Sequence, residues 1–220
     1  LERIESLKAE LGALDDQRKQ FQEQLNPKEM IFIDSGEFMM GDDDGPRDEQ
    51  PERTVLMNGF WMDRYPVTNQ EYKMFVDVTG HRRPPNWTSG TYPLEEAKHP
   101  VTNISWKDAL EYSEWVGKRL PTESEWEKGS RGTVGQTYPW GDDVPSCERL
   151  NYEGCDGDDG ANTSRVCTHA DGNSAQGICD LGGNLWELVE DDWHSSYAGA
   201  PDDGSAWVVD GVAPFRVIRG

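Results

Sequence analysis

Residues 177–193, GICDLGGNLWELVEDDW, constrain the chain more than any other stretch, because five carboxylates, two tryptophans and an asparagine surround the adjacent glycines Gly182 and Gly183. Paired glycines let a backbone turn through positive φ or approach another segment closely, and Asp180, Asn184 and Glu187 bring hard oxygens to that bend. Two readings fit. In one, Asp180 and Glu187 join the carbonyls of Gly183 and Leu185 around Ca²⁺, which takes about six to eight oxygens at roughly 2.3–2.6 Å. In the other, the bend is a surface turn leading into a strand, with Leu185, Trp186 and Leu188 in the core and the acids solvated.

Four cysteines, Cys147, Cys155, Cys167 and Cys179, fall at separations of 8, 12 and 12 and nowhere else. Nothing in that spacing matches the C-x-x-C knuckles of a zinc site, and the Asp/Gly/Asn-rich setting has little apolar content to hold it. Two disulfides are expected, with three connectivities open. Cys147–Cys155 with Cys167–Cys179 is favoured because each closes a short loop. Disulfides imply an oxidising compartment; four reduced, buried thiols are the alternative.

The net charge of −21 over 220 residues argues against nucleic acid, since phosphate binding depends on clustered Lys and Arg. No run of eighteen apolar residues is present, so no transmembrane segment is expected, and a first residue of Leu1 leaves room for a leader. With only 35% hydrophobic residues but nine tryptophans, aromatic rings must carry much of the core.

Ile4, Leu7, Leu11, Leu14, Phe21 and Leu25 follow a heptad spacing that stops at Asn26-Pro27, so residues 1–26 read as an amphipathic, coiled-coil-like helix. Such a helix needs a protein partner, a second copy of itself or a groove to cover its stripe. Residues 30–38 read as two short strands around Asp34-Ser35-Gly36, and residues 54–65 as strands with Phe60, Met62 and Tyr65 facing inward. Thr68 with Glu71, and Thr122 with Glu125, form capping boxes. Ser105 caps a third helix ending at Gly117. Residues 81–99, rich in Pro and aromatics, read as a surface loop. His81, His99, His169 and His194 lack spaced partners and read as surface imidazoles.

Several segments together resemble the formylglycine-generating enzyme, or sulfatase-modifying factor, family. DLGGNLWEL resembles that family's D-M-x-G-N-V-W-E-W, with Leu188 where a second tryptophan is usual. Phe38 to Gly41 matches F-x-M-G, Val67 to Phe75 matches V-T-N-x-x-Y-x-x-F, residues 117–127 match G-K-R-L-P-T-E-A-E-W-E, and residues 138–141 match Y-P-W-G. The resemblance runs from about Met30 to the end.

It implies an α+β, divergent C-type-lectin-like domain over residues 27–220, low in regular structure and apparently truncated at its C-terminal end. It also implies a Ca²⁺ site on Asp180, Gly183, Leu185 and Glu187. Some members hold a second Ca²⁺, for which the matching positions are Asn151, the carbonyl of Tyr152, Asp158 and the carbonyl of Gly160. The family's founding activity oxidises a sulfatase cysteine to formylglycine with O₂ and copper held by two cysteines that follow the strand R-V-x-R-G-G-S. Here that strand is residues 215–220, so those cysteines would lie beyond Gly220. The leading expectation is a non-catalytic, Ca²⁺-stabilised module for binding or cell-envelope assembly. It would sit outside the cytoplasm, whether periplasmic, at the cell surface or secreted, and take a glycan or protein ligand. The copper oxidase is the alternative.

Overall fold

The computed structural model describes residues 3, 29–155, 162–209, 211 and 215–220. Apart from residue 3, the heptad segment 1–26 lies outside the described residues, as do the metal candidates Asp158 and Gly160.

Strands β1 (Met30–Ile33) and β2 (Gly36–Met40) flank Asp34-Ser35 but do not pair with each other. β2 pairs antiparallel with β3 (Arg53–Met57), and β1 with β4 (Phe60–Asp63), so one ribbon is nested within the loop of the other. Period-two alternation turns Phe38, Met40, Val55 and Met57 to one side, where they pack with Tyr197. Phe60 and Met62 pack against the core as alternation implies, while Tyr65, past the end of β4, is half-buried with its hydroxyl on Glu29. β5 (Glu187–Asp192) and β6 (Arg216–Arg219) form a third antiparallel ribbon.

Three helices begin at reciprocal caps: α1 (Asn69–Thr79) at Thr68/Glu71, α2 (Trp106–Trp115) at Ser105/Asp108, and α3 (Glu123–Arg131) at Thr122/Glu125. Each cap satisfies backbone N–H groups that a helix start otherwise leaves unpaired. α1 and α2 share a core of rings, in which Tyr72 stacks on Tyr112 at 5.5 Å and Phe75 meets Tyr112 edge-on at 5.7 Å.

Residues 81–99 are more than a surface loop. Trp87 is only 2% exposed and plugs the ring cluster, its indole N–H donating to Asn69 Oδ1 at 3.2 Å. His81 is likewise not a free surface imidazole. It lies 4.7 Å from the Phe75 ring, with its nitrogens 2.9 Å from Asp108 and 3.1 Å from Glu111.

The helix that joins the other parts is α3, and its sequence, ESEWEKGSR, is mostly polar. It packs against β2, β5 and β6, with every residue from Glu123 to Ser130 buried. Trp126 enters a cluster with Ile33, Ile178, Leu181, Val189 and Val217. The charged neighbours are buried because each is bonded. Glu127 accepts from the Gly41 N–H at 2.7 Å, from Arg131 at 2.8 Å and from Arg219 at 2.8 Å. Lys128 donates to the carbonyls of Asp34 at 2.8 Å and Gly36 at 3.0 Å. Cys147–Cys155 and Cys167–Cys179 are disulfides, the local pairing that short loops favour.

Glu127→Ala strips partners from Arg219, Arg131 and the Gly41 amide at once. The expected loss is about 3–5 kcal/mol of unfolding free energy in urea, as for breaking a buried ion pair. A loss below about 1 kcal/mol would contradict this role.

Candidate functional site

Within residues 177–193 the chain takes a left-handed conformation at Gly177 (φ 88), and the bend itself is built by Asp180 (φ 61), Gly183 (φ 80) and Asn184 (φ 67). The two adjacent glycines divide the work. Gly183 turns the chain, and a Cβ there would also stand 2.6 Å from the Asn151 carbonyl oxygen. Gly182 serves close approach, since its Cβ would fall 3.0 Å from the Trp140 ring.

Asp180 Oδ2 accepts the Cys167 N–H at 2.8 Å, and Asn184 Oδ1 accepts the Ser164 N–H at 2.8 Å. The Gly183 carbonyl accepts the Leu185 N–H at 2.8 Å. Glu187 is different: its Oε1 is buried with no hydrogen-bond partner. Burial, then the charge of Asp180, push its carboxyl up to about 8, against the pull of the Trp126 indole N–H, which lies nearby without reaching hydrogen-bond geometry. Burial also raises Asp180, against the pull of the Cys167 amide. Two carboxylates crowded in a dry bend, one with an orphaned oxygen, suit a hard cation held by Asp180, Glu187 and nearby backbone oxygens. Among the described residues no three His, Cys, Asp or Glu side chains cluster as a metal site, so carbonyls would have to complete it.

Asn151 belongs to this same bend, its carbonyl accepting the Asn184 N–H at 2.8 Å. Tyr152 is exposed, and its carbonyl accepts the Cys155 N–H at 3.1 Å. The surface-turn arrangement with Trp186 in the core does not hold, because Trp186 is 68% exposed. It turns instead toward a cleft.

That cleft, about 490 Å³, runs beside β6. Its walls carry Tyr138, Trp186, Trp193 and Trp207, its rim Asp42, Asp48 and Glu49, and its floor Glu123, Tyr197 and Arg219. Tyr138 stacks on Trp140 at 5.1 Å, and His194 lies flat on Trp207 at 3.5 Å. His194 is therefore a wall of the cleft rather than a free surface imidazole. A carbonyl can only accept, so the 2.8 Å contact of Nδ1 with the Asp192 carbonyl places the proton on Nδ1. Trp193 Nε1 reaches Asp48 at 3.3 Å. Tyr197 donates its hydroxyl hydrogen to Glu123 at 2.8 Å, and Arg219 reaches both Glu123 and the Tyr197 hydroxyl at 3.2 Å. Sequence reasoning did not bring this site together, although the motifs singled out above supply much of its lining: Glu123 from residues 117–127, Tyr138 from residues 138–141, Trp186 from the bend and Arg219 from β6. Each motif is local, and nothing in any one of them shows that they converge on a single cleft.

The model of the sulfatase-modifying factor enzyme 1-like domain matches residues 16–220. The chain belongs to that family. It is 34% identical over 222 residues to the serine/threonine-protein kinase Pkn1 of Chlamydia trachomatis, covering 90% of this chain and 34% of that one. It thus spans about a third of the length of the chlamydial relatives it matches. It is 32% identical to the formylglycine-generating enzyme of Thermomonospora curvata, covering 84% of this chain and 82% of that one. Among solved structures, PvdO from Pseudomonas aeruginosa superimposes with a TM-score of 0.72 at 29% identity, covering 87% of this chain and 80% of that one.

In this sulfatase-modifying-factor-like domain the cleft floor titrates near neutrality. Burial raises Glu123 from an ordinary 4.5 to about 7, against Arg219 and the Tyr197 hydroxyl. A carboxyl raised on folding contributes stability that is complete below the unfolded value and lost as pH climbs through the folded one. The window is therefore about 4.5 to about 7. Glu123→Gln should lose less stability than the parent between pH 5 and pH 8, by up to about 3 kcal/mol. Identical pH profiles of melting temperature would exclude this assignment.

Proposed function

We propose that the domain is a calcium-stabilised, non-catalytic binding module that works outside the cytoplasm, and that the cleft beside β6 is its ligand face. The cleft carries this reading. Exposed indole faces beside carboxylates attract a cationic group by cation–π and direct electrostatic forces together. Asp42 and Asp48 are available for that purpose because the nearby arginines are engaged elsewhere: Arg131 by Glu127, Arg216 by Asp192, and Arg219 by Glu123, Glu127 and, at 4.0 Å, the rim residue Glu49. A protein ligand presenting a basic side chain fits this chemistry better than a neutral glycan. Residues 1–25 would supply contact with a partner or a second copy, and the two disulfides support an oxidising location.

Formylglycine generation is the second reading, favoured by the match to the Thermomonospora curvata enzyme over most of both chains. The chain's own cysteines do not fit copper, since all four are in disulfides and leave no thiolate to hold it. Mass spectrometry of a sulfatase-motif peptide incubated with the protein, O₂ and copper tests it.

Titrating the protein with a lysine- and arginine-containing peptide and with a neutral oligosaccharide, followed by tryptophan fluorescence, tests the binding reading. The peptide should bind, with affinity falling as salt rises, and Trp193→Ala or Asp48→Asn should weaken it at least about tenfold. Tighter binding of the oligosaccharide would overturn the cationic ligand.

The calcium part stands on Glu187 and Asp180. A hundredfold excess of Ca²⁺ over its dissociation constant stabilises by about 2.7 kcal/mol, so EDTA should lower the melting temperature measurably. Glu187→Gln should abolish most of that EDTA response. A melting temperature indifferent to both Ca²⁺ and EDTA would remove calcium from the description.

A further inference from the structure

We propose that the Cys167–Cys179 disulfide is a redox latch on the cation site, so that its reduction weakens Ca²⁺ binding; this rests on the calcium reading above. The S–S bond ties Cys179, the residue before Asp180, to Cys167, whose own N–H donates to Asp180 Oδ2 at 2.8 Å. Covalent bond and hydrogen bond thus close one small ring around the carboxylate. Cys167 sits at φ 58, a left-handed conformation that a non-glycine residue keeps only where its surroundings fix it.

The segment so tethered also aligns the second polar side chain of the bend. Ser164 donates its N–H to Asn184 Oδ1 at 2.8 Å and accepts from Asn184 Nδ2 at 3.3 Å. Before Ser164 the segment is held by the Asn162 carbonyl, which accepts from Asn151 Nδ2 at 2.9 Å, and by a 3.2 Å contact of the Thr163 hydroxyl with His99; after it, anchors are few. Arg165 and Thr168 are exposed, and Val166 is held by one backbone bond to the Lys98 carbonyl at 3.0 Å.

Cys179 is fully buried, whereas Cys167 is half-buried, so an attacking thiolate reaches the bond from the Cys167 side. A dithiol supplies two electrons and two protons. The S–S bond breaks into two thiols, and the dithiol leaves as its own disulfide. Cys167 is then free to leave the left-handed conformation, its N–H leaves Asp180, and the carboxylate loses the orientation that aims it at the cation. Linkage requires the converse: bound Ca²⁺ favours the disulfide by the same factor by which the disulfide favours Ca²⁺. A tenfold difference in affinity corresponds to about 30 mV for this two-electron couple.

Calorimetric titration of Ca²⁺ into the oxidised protein, into dithiol-treated protein with its thiols counted by alkylation and mass spectrometry, and into Cys167→Ala/Cys179→Ala tests the latch. The double variant isolates this bond from Cys147–Cys155. Reduced protein and double variant should both bind at least about tenfold more weakly, with full affinity regained on reoxidation of the parent. If the variant fails to fold, the parent carries the test alone, since Ca²⁺ should then shift the Cys167–Cys179 reduction equilibrium toward the disulfide. Equal affinity in oxidised and reduced forms, or a reduction equilibrium unmoved by Ca²⁺, would overturn the latch. An oxidised protein that binds no Ca²⁺ would instead bring down the calcium reading beneath it.

Discussion

The fold depends on one buried ion pair, Glu127 with Arg219, which joins the middle of α3 to the last strand at 2.8 Å. An unpaired carboxylate at this depth would cost several kcal/mol. Here Arg131 and the Gly41 amide complete the shell, so a single side chain fastens β6, the C-terminal turn of α3 and the end of β2. Arg219 then spends its other nitrogen on Glu123 and Tyr197, which makes the floor of the cleft an extension of the core's charge network. The cleft holds its shape because the interior is ionic rather than oily at that point.

The part of the chain around the bend is stabilised differently. Among the described residues from Cys147 to Cys179 few side chains join an apolar cluster; Ile178 is the main one. Two short covalent loops and backbone hydrogen bonds to Asp180 and Asn184 do what packing does elsewhere. Short loop closures reduce the entropy of the unfolded chain, and they place backbone donors around carboxylates that would otherwise repel one another. The scheme is incomplete at several buried atoms, Arg149 Nη1, Asn173 Oδ1 and Gln176 Oε1 among them, and Glu187 Oε1 is the carboxylate oxygen left unpartnered at the bend. It is also the place where a cation would add most.

Aromatic residues are divided between these tasks. Trp87 and Trp126 are interior, each in its own cluster, while Trp186 and Trp193 face the cleft. Their indole N–H groups show the difference. Trp87 reaches a buried amide oxygen, whereas Trp193 reaches a rim carboxylate, so its ring edge is held at the mouth of the site.

Local features were legible from the chain alone because their causes lie within a few residues. The capping boxes at Thr68 and Thr122, the cap at Ser105, the bend at Gly183 and the short disulfide loops all depend on neighbours in sequence. Family motifs placed the sulfatase-modifying-factor-like domain for the same reason, being strings of such local solutions. Tertiary structure alone decided that polar α3 is buried, because its charges are matched by Gly41, Asp34 and Arg219, about 90 residues away in the chain. It alone brought Trp87 into the core, paired β1 with β4 rather than with β2, and assembled the cleft from rings and carboxylates in separate loops. Burial of a charge is set by whichever partner arrives from elsewhere, and no pattern within the helix itself carries that information.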